Sequence, residues 1–193
     1  MADEALIIVD VQNDFCPGGA LAVPDGDAVV PVLNQYARRF VERGALIIAT
    51  RDWHPAETRH FKDFGGVWPV HCVQGTIGAE LHPSLRLPAS TKVVDKGADP
   101  NEDAYSGFQA KTAEGVSLPD VLRRHSVQHV YVGGLATDYC VKATALDALN
   151  AGFRVTLLLD AMRGVNLRPH DAEVAIEEMV RRGAEVTTLE RVR

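Results

Sequence analysis

Short apolar runs alternate with segments of helical spacing along nearly the whole chain. Ala5-Leu6-Ile7-Ile8-Val9 is a continuous apolar run closed by Asp10. Such a run reads as a strand buried on both faces. Residues 27–43 then carry Val30, Leu33, Ala37, Phe40 and Val41 on one helical face, with Gly44 as the stop. Further strands are expected over residues 45–50, 92–95, 128–132, 154–159 and 185–189, and further helices over 118–125, 138–150 and 169–182. Ser117 serves as the N-cap of the second helix, with Pro119 in its first turn. Strands that recur with helical crossovers predict an α/β fold, a three-layer α/β/α sandwich around a six-stranded parallel, doubly wound sheet. At 193 residues the chain is expected to form a single domain, residues 1–193, large enough for a full core.

In such a sheet ligands bind beyond the carboxyl ends of the strands, where the strand order reverses. Three reactive side chains fall at strand ends. Asp10 follows the first strand, Lys96 follows Val93-Val94-Asp95, and Cys140 opens the helix after Val130-Tyr131-Val132, with Gly133-Gly134 expected to break that strand. A thiol at a helix start faces free N–H groups and the positive dipole end, which favour the thiolate. A carboxylate can take the thiol proton, and a lysine can hold that carboxylate ionised. Singly, the commoner fates are a buried structural cysteine, a strand-end cap and a solvated loop lysine. The coincidence of all three at one sheet edge favours chemistry in a cleft.

A second constellation lies in the irregular stretch over residues 51–90, and loops that long in a compact domain are usually functional. Asp52 and His54 are two apart in extended chain and can face one ion, and His71 can return from the next loop. Carboxylate plus imidazole suits Zn, Mn or Fe as divalent ions. A D-x-H pair alone is a weak signal, and solvent-facing loop residues are its commoner source.

Asp10-Val11-Gln12-Asn13-Asp14-Phe15, Lys96-Gly97, Gly134-Leu135-Ala136-Thr137-Asp138-Tyr139-Cys140 and the stretch from Trp68 through His71 to Thr76 together resemble the isochorismatase-like cysteine hydrolases. Within them the chain is similar to the nicotinamidase/pyrazinamidase group, from residue 5 to about residue 186. The resemblance implies a catalytic triad of Asp10, Lys96 and Cys140. It implies a cis peptide between Leu135 and Ala136, and an oxyanion hole of the Ala136 and Cys140 N–H groups. It implies one divalent ion, Zn first with Mn or Fe as alternatives, on Asp52, His54 and His71, with His60 as the fourth ligand that some members use. Phe15, Leu21, Trp68, Tyr105 and Ala136 match the wall of a pocket for a flat pyridine ring. The activity implied is metal-dependent hydrolysis of nicotinamide, or a pyrazinamide-type analogue, to the acid and ammonia through a cysteine thioester, a step of NAD salvage. A relative acting on a carbamoyl or ureido substrate would not need the metal residues. A non-catalytic binding protein would not need an activated thiol.

Composition narrows the partners. A net charge of −6 and no basic cluster argue against nucleic acid and leave a small-molecule substrate, with a homo-oligomer left open. The apolar run over residues 5–9 is far short of the ~20 residues a spanning helix needs, so no membrane association is expected. Met1-Ala2-Asp3-Glu4 has no basic region of the signal-peptide kind. Three cysteines without framework spacing fit a reducing compartment, the cytoplasm. Cys16 and Cys72 are expected to be unreactive thiols. His82, His125, His129 and His170 are expected to be ordinary core or surface histidines.

Overall fold

A computed structural model describes residues 3–192. Its six strands are β1 Glu4–Val9, β2 Leu46–Asp52, β3 Lys92–Lys96, β4 His129–Leu135, β5 Arg154–Arg163 and β6 Glu185–Thr187. They form one sheet in the order β3-β2-β1-β4-β5-β6, and every pairing is parallel. The helices are α1 Val29–Glu42, α2 Leu118–Arg124, α3 Lys142–Asn150 and α4 Asp171–Arg181. The order builds outward from β1 to β3, then restarts on the other side of β1 with β4, so the reversal lies between β1 and β4.

The central strand shows why its sequence is apolar without alternation. Ala5, Ile7 and Val9 enter a cluster with Leu118, Val121, Val141, Ala145 and Met179 from α2, the α3 approach, α3 and α4. Leu6 and Ile8 point the other way, into a cluster with Val29, Leu33, Tyr36, Ala37 and Phe40 of α1. Each fully buried side chain of this size contributes roughly 1.5–3 kcal/mol of burial free energy. The three-layer α/β/α arrangement is therefore set by both faces of one strand. Among the described residues no helix is long and apolar enough to cross a membrane.

Several expected boundaries shift, each for a local reason. Gly133-Gly134 does not break the fourth strand, which runs on to Leu135 with Ile8 opposite Gly133 and Val9 opposite Gly134. Gly134 has φ +119, and a Cβ there would sit 2.1 Å from the Val9 carbonyl oxygen. Its missing side chain lets β1 and β4 stay paired up to the site. The helix expected from residue 138 begins instead as a π-turn over Thr137–Val141, and α3 proper starts at Lys142. The fifth strand continues past residue 159 to Arg163, so Asp160 lies inside it. Its carboxylate accepts from the Tyr36 hydroxyl at 2.8 Å and from the Leu189 N–H at 2.8 Å. On α1 the buried face holds Tyr36, while Val41 is 44% exposed. Beta2 reaches Asp52 and β3 reaches Lys96, so both residues belong to strands rather than to the loops beyond.

Candidate active site

Asp10, Lys96 and Cys140 converge at the reversal between β1 and β4. Asp10 leaves β1 with φ +48, a left-handed conformation that aspartate tolerates better than most residues. Its N–H is held by the Thr50 carbonyl and hydroxyl, at 3.3 and 3.2 Å, and the Thr50 hydroxyl donates to Asp10 Oδ1 at 2.5 Å. Lys96 extends from the end of β3 across β2. Its ammonium lies 2.9 Å from Asp10 Oδ2 and 3.5 Å from Cys140 Sγ, and it donates to the Ala104 carbonyl at 3.2 Å and to Asp52 Oδ1. Asp10 is wholly buried, Lys96 is 1% exposed and Cys140 is 8% exposed. Lys96 is therefore not a solvated loop lysine, and all three side chains are buried together.

Burial and charge act against each other here. Burial would strip the Lys96 proton, but Asp10 and Asp52 outweigh it and hold the ammonium well above its ordinary pKa. Burial raises Asp10 above the usual carboxylate range, against the pull of Lys96, and the nearby Asp52 charge raises it further. For Asp52 burial pushes up, but Lys96 and the two histidines beside it win and hold it well below that range. Cys140 is raised well above an ordinary thiol, first by burial and then by the two carboxylates, with Lys96 opposing. The helix start is expected to favour the thiolate, and burial with the two carboxylates acts against it here. Desolvation favours the neutral thiol, and the Lys96 ammonium opposes it.

Asp52 joins this cluster to a second one. Its Oδ2 lies 3.7 Å from His54 Nε2 and 3.8 Å from His71 Nε2. One ligand nitrogen each from His54, His60 and His71 can be chosen so that all lie within 4.8 Å of one another. Each histidine has Nδ1 engaged: His54 with the Gly97 carbonyl at 3.2 Å, His60 with Asp103 Oδ1 at 2.5 Å, and His71 with the Pro69 carbonyl at 2.7 Å. An acceptor at Nδ1 fixes the proton there and leaves Nε2 as a lone pair. His54 Nε2 is fully buried with no hydrogen-bond partner. A buried orphan acceptor facing two more imidazoles and a carboxylate is the chemistry of a divalent-cation site, and the donor set fits one. Gln12 fixes Asp52 from behind: its carbonyl accepts from the Asp52 N–H at 2.8 Å and its amide donates to the Asp52 carbonyl at 2.7 Å.

Both clusters open into one pocket. Phe15, Leu21, Trp68, Tyr105 and Ala136, all expected from the sequence, line it together with Asp52, His60, His71 and Cys140. The Trp68 indole N–H donates to the Tyr105 hydroxyl at 2.8 Å, and Tyr139 meets the Trp68 ring edge-on at 5.0 Å. The peptide between Leu135 and Ala136 is cis. Cys16 and Cys72 are buried away from the pocket wall. Burial raises Cys16 to about 11, with Asp27 adding to it, and burial with nearby carboxylates raises Cys72 much further.

The isochorismatase domain model matches residues 4–191. The chain belongs to the isochorismatase domain family. The nicotinamidase of Escherichia coli (strain K12) is 45% identical, over 98% of this chain and 96% of that protein. The nicotinamidase/pyrazinamidase of Mycobacterium tuberculosis is 44% identical, over 91% of this chain and 93% of that one. The crystal structure of the pyrazinamidase of Pyrococcus horikoshii in complex with zinc superposes with a TM-score of 0.90 at 50% identity, covering 97% of this chain and all of that one.

Further residues contribute to the pocket and its supports, some inside the motifs quoted from the sequence and some outside them. Val23, Leu135, Tyr139 and Val165 also line the pocket. Tyr139 stands next to Cys140 and could have been found by that adjacency. Val165 comes from beyond β5, and only the sheet order brings it near. Thr50 and Gln12 are buried polar residues, and Gln12 sits in the Asp10–Phe15 run, where a polar residue after a buried strand hints at a structural bond. Asp14 in the same run accepts from the Cys72 N–H at 2.7 Å and ties the two loops.

Proposed function

We infer that the protein hydrolyses nicotinamide to nicotinate and ammonia, with Cys140 as nucleophile, as a step of NAD salvage. The observation that carries this reading is one side chain, Lys96, ion-paired at once with the carboxylates of both clusters. It joins a carboxylate–lysine–thiol group to a histidine-rich cluster able to hold a cation, beside one aromatic-walled pocket, and this supports the reading.

The steps follow from the chain's own groups. Asp10 Oδ2 has the Lys96 ammonium beside it but no well-formed hydrogen bond, so it is the oxygen free to receive a proton. A carboxylate with a raised pKa is suited to that exchange. Asp10 takes the Cys140 proton as sulfur bonds to the carboxamide carbon. The N–H groups of Ala136 and Cys140 hold the oxyanion. Asp10 returns the proton to the leaving nitrogen, the C–N bond breaks, and ammonia departs from a nicotinoyl thioester. Asp10 then takes a proton from water as its oxygen attacks the thioester carbon. The C–S bond breaks, and the proton returns to sulfur. Phe15 and Trp68 hold the ring, with Leu21 and Tyr105 closing the wall. One divalent ion on Asp52, His54 and His71, with His60 as fourth ligand, would supply a Lewis acid that anchors the ring nitrogen. Zinc is the ion proposed, manganese and iron the alternatives, and the cytoplasm the compartment.

Ammonia release decides the matter. Nicotinamide and pyrazinamide should be turned over. Benzamide, which keeps the carboxamide and lacks the ring nitrogen, should be a much poorer substrate. Benzamide hydrolysed as well as nicotinamide would remove the reason for the cation site. A second outcome is expected on chelation: hydrolysis stops and returns with added Zn, Mn or Fe. His54→Ala should abolish metal retention, because it removes a wholly buried imidazole with an orphan Nε2. Metal content measured on the purified variant checks this directly, and a full equivalent of bound ion would contradict it.

A further inference from the structure

We propose that Asp103 is a positioning residue for the cation site: it holds His60 in the tautomer that ligates and thereby sets metal affinity. The inference deepens the proposed function and rests on its cation site.

The three histidines are oriented by different means. His54 and His71 have Nδ1 against backbone carbonyls, those of Gly97 and Pro69, so their rings are fixed by the chain path itself. His60 alone depends on a side chain, Asp103, whose Oδ1 lies 2.5 Å from Nδ1. His60 is 4% exposed, stacked on His54 with ring centroids 4.5 Å apart. The Asp103 side chain is 51% exposed while its carboxylate reaches inward to His60. Asp103 is brought there by hydrogen bonds between its loop and that of His60. The Arg59 N–H donates to the Pro100 carbonyl at 3.0 Å, and the Thr58 hydroxyl donates to the same oxygen at 3.1 Å.

Two consequences follow from that geometry. An acceptor at Nδ1 makes Nε2 the lone-pair nitrogen, on a ring that offers one ligand nitrogen within 4.8 Å of those of His54 and His71. A charged acceptor also makes that lone pair more basic than a carbonyl would. Without Asp103, His60 can adopt the other tautomer, in which Nε2 carries a proton and cannot ligate. His60 is therefore the ligand whose strength a single half-exposed residue controls. A neutral amide at the same place would keep the hydrogen bond and lose the charge.

The test measures metal binding, not turnover. Parent, Asp103→Ala, Asp103→Asn, His60→Ala and the Asp103→Ala/His60→Ala double variant are stripped and titrated with zinc against a chromophoric chelator. Asp103→Ala and His60→Ala should each weaken zinc by about 10–100-fold. Asp103→Asn should lose less, and the double variant should bind no more weakly than His60→Ala alone. The visible spectrum of bound cobalt should change in the same way for Asp103→Ala and His60→Ala. The melting temperature of the stripped Asp103→Ala protein should match that of the stripped parent, because the side chain is half exposed. Parent-like affinity in Asp103→Ala overturns the assignment while leaving the cation site and the hydrolase reading intact. So does a fully additive double variant, or a lowered melting temperature in stripped Asp103→Ala. A parent that binds no zinc, manganese or iron overturns the cation site itself, and this inference with it.

Discussion

Cys140→Ala should lose turnover by a factor on the order of 10⁵–10⁶, the scale seen when a covalent nucleophile is deleted, while the protein stays folded. Sulfur is the only atom removed, and it lies in an 8% exposed position against Lys96, so stability should change by about 1 kcal/mol or less. Cys140→Ser is the sharper variant. Burial and the two flanking carboxylates already raise the thiol well above its ordinary range. A hydroxyl starts far higher, so proton transfer to Asp10 becomes too costly, and the serine enzyme should be nearly as inactive as the alanine one. Cys16 and Cys72 serve as internal controls. Both are buried and raised by desolvation, and neither lines the pocket. A nicotinoyl adduct located by mass spectrometry should sit on Cys140. An adduct on either other thiol, or amide hydrolysis by Cys140→Ala at a tenth of the parent rate, would end the nucleophile assignment.

The order of elements and the edge of the sheet that carries the site were legible because both follow from local pattern. A two-faced buried strand must be apolar throughout, and β1 is. A site at the reversal of strand order must use strand-end residues, and Asp10, Asp52 and Lys96 are strand-end residues. The Asp52-x-His54 pair faces one centre because extended chain repeats every two residues, as the 3.7 Å separation shows. What was not legible depends on two segments meeting. The glycine pair read as a break because glycine weakens strands in general; only the approach of the Val9 carbonyl shows that it permits pairing. The thiolate was expected from a helix terminus. The actual environment is a π-turn packed against an ammonium and two carboxylates from other strands, and desolvation dominates. Asp103 is a polar residue in a polar loop, indistinguishable in sequence from its neighbours Asp99 and Glu102. Lys96 looked like a cleft residue, since nothing local says that a lysine beyond a short strand will be 1% exposed.

That burial changes what the Lys96 variant should do. Lys96→Ala is expected to lose most activity and also to destabilise the metal-free protein by about 3–5 kcal/mol at neutral pH, the cost of leaving buried charge uncompensated. The ammonium is ion-paired with Asp10 and Asp52 together, and without it two carboxylates face each other in a water-excluded site. Asp10→Asn should cost less stability, because Lys96 keeps Asp52 as its partner. Activity should fall in both, and the double variant should be little worse than the poorer single one, since the groups act as a unit. The pH dependence has a definite sign. Asp10 already has a folded pKa raised by burial, and removing the opposing Lys96 charge raises it further. A carboxyl whose folded pKa exceeds its unfolded value favours the fold when protonated. Its stability contribution is therefore lost as pH rises through the folded pKa. The deficit of Lys96→Ala relative to the parent should thus be largest at neutral pH and shrink on acidification. Urea unfolding of the stripped proteins at neutral and mildly acidic pH measures it. A Lys96→Ala protein as stable as its parent at neutral pH would mean that the ammonium does not hold the two carboxylates together.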